Sequence, residues 1–531
     1  MKKGAWAAGV LAVVIVAAGG GWLAVRTLES KTEQAVRAVL AELSATADSV
    51  DYNLLDNTLN LGRVAYAQDV AGRHSTATVE NITVTGFDRA CLSDASGSEL
   101  PLVADSLVAS DVDIKVVDPS MTSRGTIAEI RMEGWYQNLG KLAALHRQDP
   151  LGEAFFAEAY RYRMDMMAYK DYRVSVTMPD QKPLTASMAM WGLLGPAGSR
   201  DASSDAGRTF SMFMNQFRME LPGLGVGSVE RAELHDLLMP PPASVSRLTA
   251  LTRKMEAAES EGRDAALKQG EAFLKEWVDA YRGTTPYKEL VLRSYAFQPE
   301  QEGTPPLLVD EVRHKLSLAD PVVFGLDLIG LHGSWSDMAP GWREAGPAFL
   351  PDGPLVDGSI LLSLRTERRP SSVEWSAGVQ NLGRAEGKIS LELDIKNLSD
   401  VLKLPLDRLM ANVFLKDADA TYADQGLEAL ALTVAALDEG VSVEQERDVY
   451  KAALPLLSEE AGELGPMLEA AANIMLDKPG TVRIQCRPEQ PLALSQAFLT
   501  LLLQPQVLNL TVSAEPGDKS LSDWVPAALR Q

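Results

Sequence analysis

Residues 77–88 read ATVENITVTGFD. Val79, Asn81, Thr83 and Thr85 alternate there with Glu80, Ile82, Val84 and Gly86. A period of two is that of a β-strand, whose successive side chains point to opposite faces, and the pattern favours one buried face. The same style runs outward on both sides. VDYNLLDNTLNLGRVAYAQD precedes it, and SLVASDVDIKVVD and TIAEIRMEGWY follow. A second β section begins at Tyr287 with YKELVLRSYAFQP, PPLLVDEVRHKLSLADP and VVFGLDLIGLHGSW. SILLSLRTE, SVEWSAGVQNLG and GKISLELDIKNL then predict a three-stranded meander that turns at residues 365–370. Both sections pass through a Tyr-Ala pair, Tyr66-Ala67 and Tyr295-Ala296, then a polar turn and a strand ending in a hydrophobic residue and Gly. That likeness predicts two copies of one β unit, over residues 50–135 and 287–395.

Helical spacing takes over elsewhere. Val36, Val39, Leu40 and Leu43 fall on one face of a helix expected over 27–50. A second helical stretch is expected over 139–169, interrupted at Asp149-Pro150, with AFFAEAYRYRMDMMAY as its apolar stripe. YRVSVTMP returns to strand. LTASMAMWGLL and RTFSMFMNQFRMEL are rich in Met, which adapts to irregular partners in either a core or an apolar groove. Pro240-Pro241-Pro242 marks a break, and residues 244–281 read as helix. After residue 399, ANVFLKDADATYADQG, TVRIQCRP and QVLNLTVSA read as strands, LGPMLEAAANIML and LALSQAFLTLLL as helices. Ser442-Val443-Glu444-Gln445 has the capping-box pattern of a helix start. The closing SDWVPAALRQ reads as loose.

Residues 4–25, GAWAAGVLAVVIVAAGGGWLAV, carry no charge. As a helix they would extend about 33 Å, enough for a hydrocarbon core of roughly 30 Å. Trp6 and Trp22 near the two ends suit the headgroup region. A cleaved signal peptide, cut near Ala17-Ala18-Gly19-Gly20, is the competing reading. Lys2 and Lys3 favour a cytoplasmic N-terminus, which puts the rest of the chain in a bacterial periplasm.

The expected fold class is therefore α+β, a single N-terminal transmembrane helix followed by a β-rich ectodomain of antiparallel sheets with covering helices and two related β units. The expected organisation is a transmembrane anchor (1–26), a helical stalk (27–50), a first β-rich domain with inserted helices (51–240), a helical connector (241–283), a second β-rich domain (284–398) and a C-terminal α/β region (399–531).

Composition narrows the chemistry. Hydrophobic residues make up 46% and charged residues 23%, which suffices for a sizeable core. A net charge of −22 opposes nucleic acid as a partner and a basic patch on an anionic membrane. Two cysteines, Cys91 and Cys486, permit one disulfide; Cys486 also reads as a core-facing strand residue, for which a buried free thiol is the common state. The five histidines, His74, His146, His235, His314 and His332, lack ligand spacing. His235 reads as part of a solvated loop. Asp417, Asp419 and Thr421, with Glu428 twelve positions along, imitate a calcium loop, but Tyr422 stands where the turn needs Gly; a polar strand face explains them better. Asp111 and Asp113 read as a carboxylate pair on one strand face. No nucleophile elbow, phosphate loop or dinucleotide fingerprint appears. No catalytic residue, cofactor or metal is expected.

The anchor, the stalk and GKISLELDIKNLSDVL resemble the YdgA-like family of inner-membrane-anchored proteins. The β-rich architecture also resembles the AsmA-like family, which implies a β groove that handles phospholipid. ANVFLKDADATYADQG and LALSQAFLTLLLQPQVLNLTV are similar to the C-terminal part of proteobacterial envelope proteins. No functional residue carries over from these resemblances. The expected function is that of a non-enzymatic periplasmic scaffold or binding module anchored in the inner membrane, with an envelope protein or lipid as partner. The alternative is lipid binding or transfer through an apolar β groove.

Overall fold

The structure is a computed structural model that describes residues 26–70, 73–93, 100–117, 121–149, 161–179, 181–195, 209–238, 263–395 and 406–530, with scattered residues of 154–158 and 244–254. The apolar run 4–25, most of the loop before residue 209 and the proline run 240–242 lie outside the described residues. The chain divides into two compact units, the first covering residues 1–280 and 298–304, the second residues 281–297 and 305–531.

Helix α1 occupies residues 26–42 and ends before β1 (Ala45–Asn53). The expected 27–50 helix therefore stops short, and residues 45–50 pair as strand. The first unit then runs through β2 (Thr58–Val70), β3 (Arg73–Thr85), β4 (Leu102–Val117), β5 (Thr122–Tyr136), helix α2 (Leu139–Gln148), β6 (Met166–Thr177), β7 (Leu184–Leu194), β8 (Thr209–Leu221) and β9 (Gly225–Leu238), followed by α3 (Arg263–Ala280). Each strand pairs antiparallel with the next in sequence. The second unit contains β10 (Tyr287–Pro299), β11 (Leu307–Ser317), β12 (Val322–His332), α4 (Pro340–Phe349), β13 (Leu355–Leu364), β14 (Pro370–Val379), β15 (Gly383–Leu393), α5 (Leu406–Asn412), β16 (Val413–Asp424), α6 (Leu427–Glu439), α7 (Val443–Glu460), α8 (Gly465–Asp477), β17 (Thr481–Cys486), β18 (Leu492–Ala493), α9 (Leu494–Leu503), β19 (Thr511–Glu515) and α10 (Leu521–Trp524). It is again an antiparallel meander from β10 to β17, closed by β19 on β17.

Nineteen antiparallel strands among the described residues thus replace the expected α+β class. Among the described residues no helix is long and apolar enough to cross a membrane; the segment expected to do so, 4–25, lies outside them. The expected stripe AFFAEAYRYRMDMMAY is not one helix, since Met166 to Tyr169 already belong to β6. The Met-rich stretches are β7 and β8. His235 sits in β9, not in a loop. The capping box is present: Ser442 Oγ accepts from Gln445 N–H at 3.2 Å, and Gln445 Oε1 accepts from Ser442 N–H at 2.9 Å. The chain end is docked, not loose: Leu521 and Val525 join the core cluster that holds Ala429 and Leu432.

A finer repeat runs within the two units. Arg63, Asp111, Asp171 and Gln216 have φ between 50 and 53°, or 35° for Arg63, in the left-handed region. They lie mid-strand in β2, β4, β6 and β8, every second strand of the first unit, while Gly134 and Asp236 are left-handed near the ends of β5 and β9. Ser294 (φ 52°) and Gly330 (φ 64°) take the same place in β10 and β12 of the second. Opposite them the ladder skips a residue, such as Glu80 or Glu230, and resumes in the same register, except beside Gly330, where the β12–β13 register shifts by one. A left-handed residue in a strand interrupts the two-residue alternation and re-aims the side chains beyond it. Gly330 is the member that tolerates no side chain, because a Cβ there would stand 2.2 Å from Asp310 Oδ2.

Candidate functional site

The registers place apolar residues opposite one another over whole sheets. In the first unit Val50, Leu61, Ile82, Ala109, Ile130, Tyr169, Trp191, Met214 and Ala232 form one continuous rung, one residue from each of β1 to β9. A parallel rung of Tyr52, Leu59, Val84, Leu107, Met132, Met167, Leu193, Met212 and Leu234 lies two residues along. Beyond the left-handed residues the apolar positions change parity, to Ala47, Val64, Val79 and Val112. Ala45, Val64, Leu61 and Val84 nevertheless share one core cluster with Val36 of α1, so the apolar surface stays on one face of the sheet. Over β1 to β4 that face is capped by Val36 and Leu40 of α1 and by Phe87, Cys91 and Leu139.

The second unit repeats the arrangement with less cover. Leu290, His314, Leu326, Ile360, Trp375, Gly387, Ala420, Ile484 and Val512 form a rung through β10 to β17 and β19. Leu316, Phe324, Leu362, Val373, Ile389, Ala418 and Cys486 form the next. One residue away, on the opposite face, the row is Arg313, Asp327, Ser359, Ser376, Glu386, Thr421 and Arg483. That face is laced by ion pairs, among them Lys388–Glu374 at 2.7 Å and Arg483–Asp419 at 2.5 Å. The apolar rung is only half covered: Leu326 is 37% and Ile484 41% exposed. Nine strands spaced about 4.8 Å apart make a rung of roughly 38 Å, longer than the acyl layer of one bilayer leaflet, about 15 Å.

Toward the β12 end of this face the surface deepens into a cavity of about 720 Å³. Val356 and Val379 form its floor and share strand faces with Ile360 and Trp375. Leu307, Leu308, Met338 and two tryptophans complete the wall. Trp335 and Trp342 stack at 6.5 Å with 14° between ring planes. Trp335 is fixed from below by Gly346, where a Cβ would come within 2.3 Å of the indole, and its Nε1–H donates to Leu350 O at 2.8 Å. The volume and apolar wall are those of a site for a small apolar body. Its polar features are few; His332 Nε2 pairs with Asp310 Oδ1 at 2.8 Å on the rim.

Beside this wall, Tyr422, Asp424 and Glu428 set the turn from β16 into α6. Tyr422 OH donates to Asp424 Oδ1 at 2.6 Å, and the N–H groups of Gly426 and Glu428 donate to the same carboxylate at 2.9 and 3.0 Å. Burial first, and the Asp424 charge second, raise Glu428 from an ordinary value near 4.5 to about 7. The folded state then holds a proton that the unfolded state has released, so stability falls as pH rises from 4.5 to 7 and levels above it. Glu428→Gln is expected to flatten that slope and to raise stability at pH 8 by on the order of 1 kcal/mol, less than the whole shift would give because part of the group meets solvent. Urea midpoints at pH 5 and 8 check it; parallel slopes in variant and parent would refute it.

The other residues singled out in the sequence are dispersed. His74 pairs with Asp69 at 2.7 Å, His146 Nδ1 meets Glu42 O at 2.8 Å, and His314 Nδ1 meets Tyr287 OH at 2.6 Å, where burial lowers the imidazole pKa. Asp419 is held by Arg483 and by Gln485 at 2.6 Å, which keeps its carboxyl below the usual range; Asp417 accepts from Ser390 Oγ at 2.8 Å. Asp113 pairs with Arg124 at 2.6 Å, and Asp111 sits at a left-handed position of the same strand. Cys91 and Cys486 are free and buried; burial pushes the Cys91 thiol up to about 12. Among the described residues no group of three or more His, Cys, Asp or Glu is arranged to hold a metal. In the sequence Trp335 and Trp342 show only as two tryptophans seven residues apart around the helix-opening Pro340.

A search of curated proteins finds no match to the chain. Residues 381–515, which run from the end of β14 to β19, match a family model described as "Uncharacterized protein".

Proposed function

We propose that this chain is a non-enzymatic envelope protein that binds lipid acyl chains along the apolar face of its antiparallel sheets. The observation that carries the proposal is the rung through Leu326, Ile360 and Trp375, which crosses nine strands with His314 as its one polar side chain and is exposed at Leu326 and Ile484. A soluble sheet face of this length is ordinarily either covered by a second layer or polar, and an exposed apolar surface of such extent marks a binding face. The cavity between Trp335 and Leu308 supplies a deeper pocket at one end. The ion-paired opposite face gives the sheet a wet side, so the two faces are chemically distinct. Periplasmic placement belongs to the same proposal and is checked by fractionation.

Native mass spectrometry of the full chain, purified after expression in bacterial membranes, is the direct test. Retained phospholipid or fatty acid is the expected result. A lipid-free protein that also fails to take up a brominated phospholipid, read as quenching of tryptophan fluorescence, would favour a scaffold without a lipid ligand.

A further inference from the structure

Helix α7 carries a second apolar surface that belongs to neither sheet. Its inner side packs through Val443 and Leu454 against the cluster of Leu432, Ala436 and Leu476. Four of its large apolar side chains are exposed: Val449 by 61%, Tyr450 by 45%, Leu456 by 68% and Leu457 by 57%. At 100° per residue Val449 and Leu456 lie almost in line on the outer side, while Tyr450 and Leu457 lie about 100° round, beside the edge where Val443 and Leu454 pack, and Pro455 stands in the helix just before Leu456. Ala452 and Ala453 fill the turn between them. Four large apolar side chains in two adjacent ridges on one helix are far from the scattered single residues that a solvated surface tolerates.

One flank of this stripe is acidic. Glu444, Asp448 and Glu459 fall within about 60° of one another on the same side of the helix. Arg447 pairs with Asp448 of this flank at 3.1 Å, so Glu444 and Glu459 carry most of its charge, and Lys451 pairs with Asp477 away from it. The chain as a whole carries −22. This charge selects among occupants. A second copy would bring the same acidic flank against itself, and an anionic bilayer would be repelled.

We propose that α7 is a docking surface for an amphipathic helix of another protein that has an apolar stripe flanked by Lys or Arg. The apolar ridges take the partner's i, i+3/i+4, i+7 side chains, and the acidic flank faces its cations. The surface is independent of the acyl-binding face, and neither proposal needs the other.

The test titrates the full chain into a fluorescein-labelled 18-residue helical peptide with one Leu stripe and Lys flanks. An isomer with the same composition but a scrambled stripe, and a version with Glu flanks, are the comparisons. Saturable binding of the first peptide alone is expected. Leu456→Gln with Val449→Gln should weaken it at least about tenfold, the size of losing interface anchors. Both positions are exposed, and an unchanged far-UV circular dichroism spectrum confirms the fold. Glu459→Lys should weaken the Lys-flanked peptide and strengthen the Glu-flanked one. The proposal is overturned by equal binding of the scrambled peptide, by no saturable binding, or by Gln variants that bind as the parent does. It is also overturned if the parent sediments as a dimer that the Gln pair dissociates, or if the stripe binds zwitterionic vesicles in place of the peptide.

Discussion

Leu326→Glu is expected to abolish most acyl binding while shifting stability by less than about 1 kcal/mol. Leu326 stands in the middle of the open rung, between His314 and Ile360, and is 37% exposed. A carboxylate there keeps its water in the empty protein, so folding loses little. An acyl chain laid along the rung would have to strip that water, and a charge without a partner in an apolar contact is costly. Leu361→Glu is the matched control. It is also 37% exposed and lies one residue from Ile360, on the opposite face beside Glu374. The same charge added there should leave lipid retention unchanged. Equal loss in both variants would mean that net charge, not the rung, governs retention; no loss in either would place the ligand elsewhere.

Leu430→Ala is expected to cost about 3 kcal/mol, within the usual range of about 2–5 kcal/mol for a buried Leu truncated to Ala. Leu430 has no exposed surface and packs with Trp335, Ala345, Leu382 and Val434. Ala345 and Gly346 are already small because Trp335 occupies the space beside them, so the cluster has little freedom to close over a lost isobutyl group. Because Leu430 supports Trp335, the variant should also loosen the cavity wall, seen as weaker near-ultraviolet dichroism of the indoles. Urea unfolding measures the first effect. Leu456→Ala, on the exposed side of α7, should move the midpoint by about 0.5 kcal/mol or less. Similar losses for the two would show that the cluster around Trp335 is not tightly packed.

The strands were legible because their chemistry is local. The alternation in ATVENITVTGFD and the turn at residues 365–370 need no tertiary knowledge. The Met-rich strands β7 and β8 were harder, since Met has no preference strong enough to separate a strand from a core helix. Met166 to Tyr169 were pulled toward helix by a dense apolar stripe, and cross-strand partners such as Met132 and Leu193 decide otherwise. The left-handed residues were invisible. Arg63, Asp111, Asp171 and Gln216 have no common residue type, and none is a Gly that would betray the backbone. For the same reason the change of parity along β2 and β4 hid the continuity of the apolar face. The Tyr-Ala likeness also misaligned the sections, because Ser294 directly precedes Tyr295 whereas Arg63 stands three residues before Tyr66.

The placement of those left-handed residues on every second strand also fixes how such a chain can change length. From β2 to β12 each pair of strands carries one of these mid-strand residues, so adding or deleting a whole hairpin there leaves the remaining faces in phase. A single-residue insertion between a left-handed position and the nearer turn throws the strand's apolar side chains to the wet side. Length variation in proteins built on this plan should therefore come in hairpin-sized steps, with indels of one residue confined to the turns.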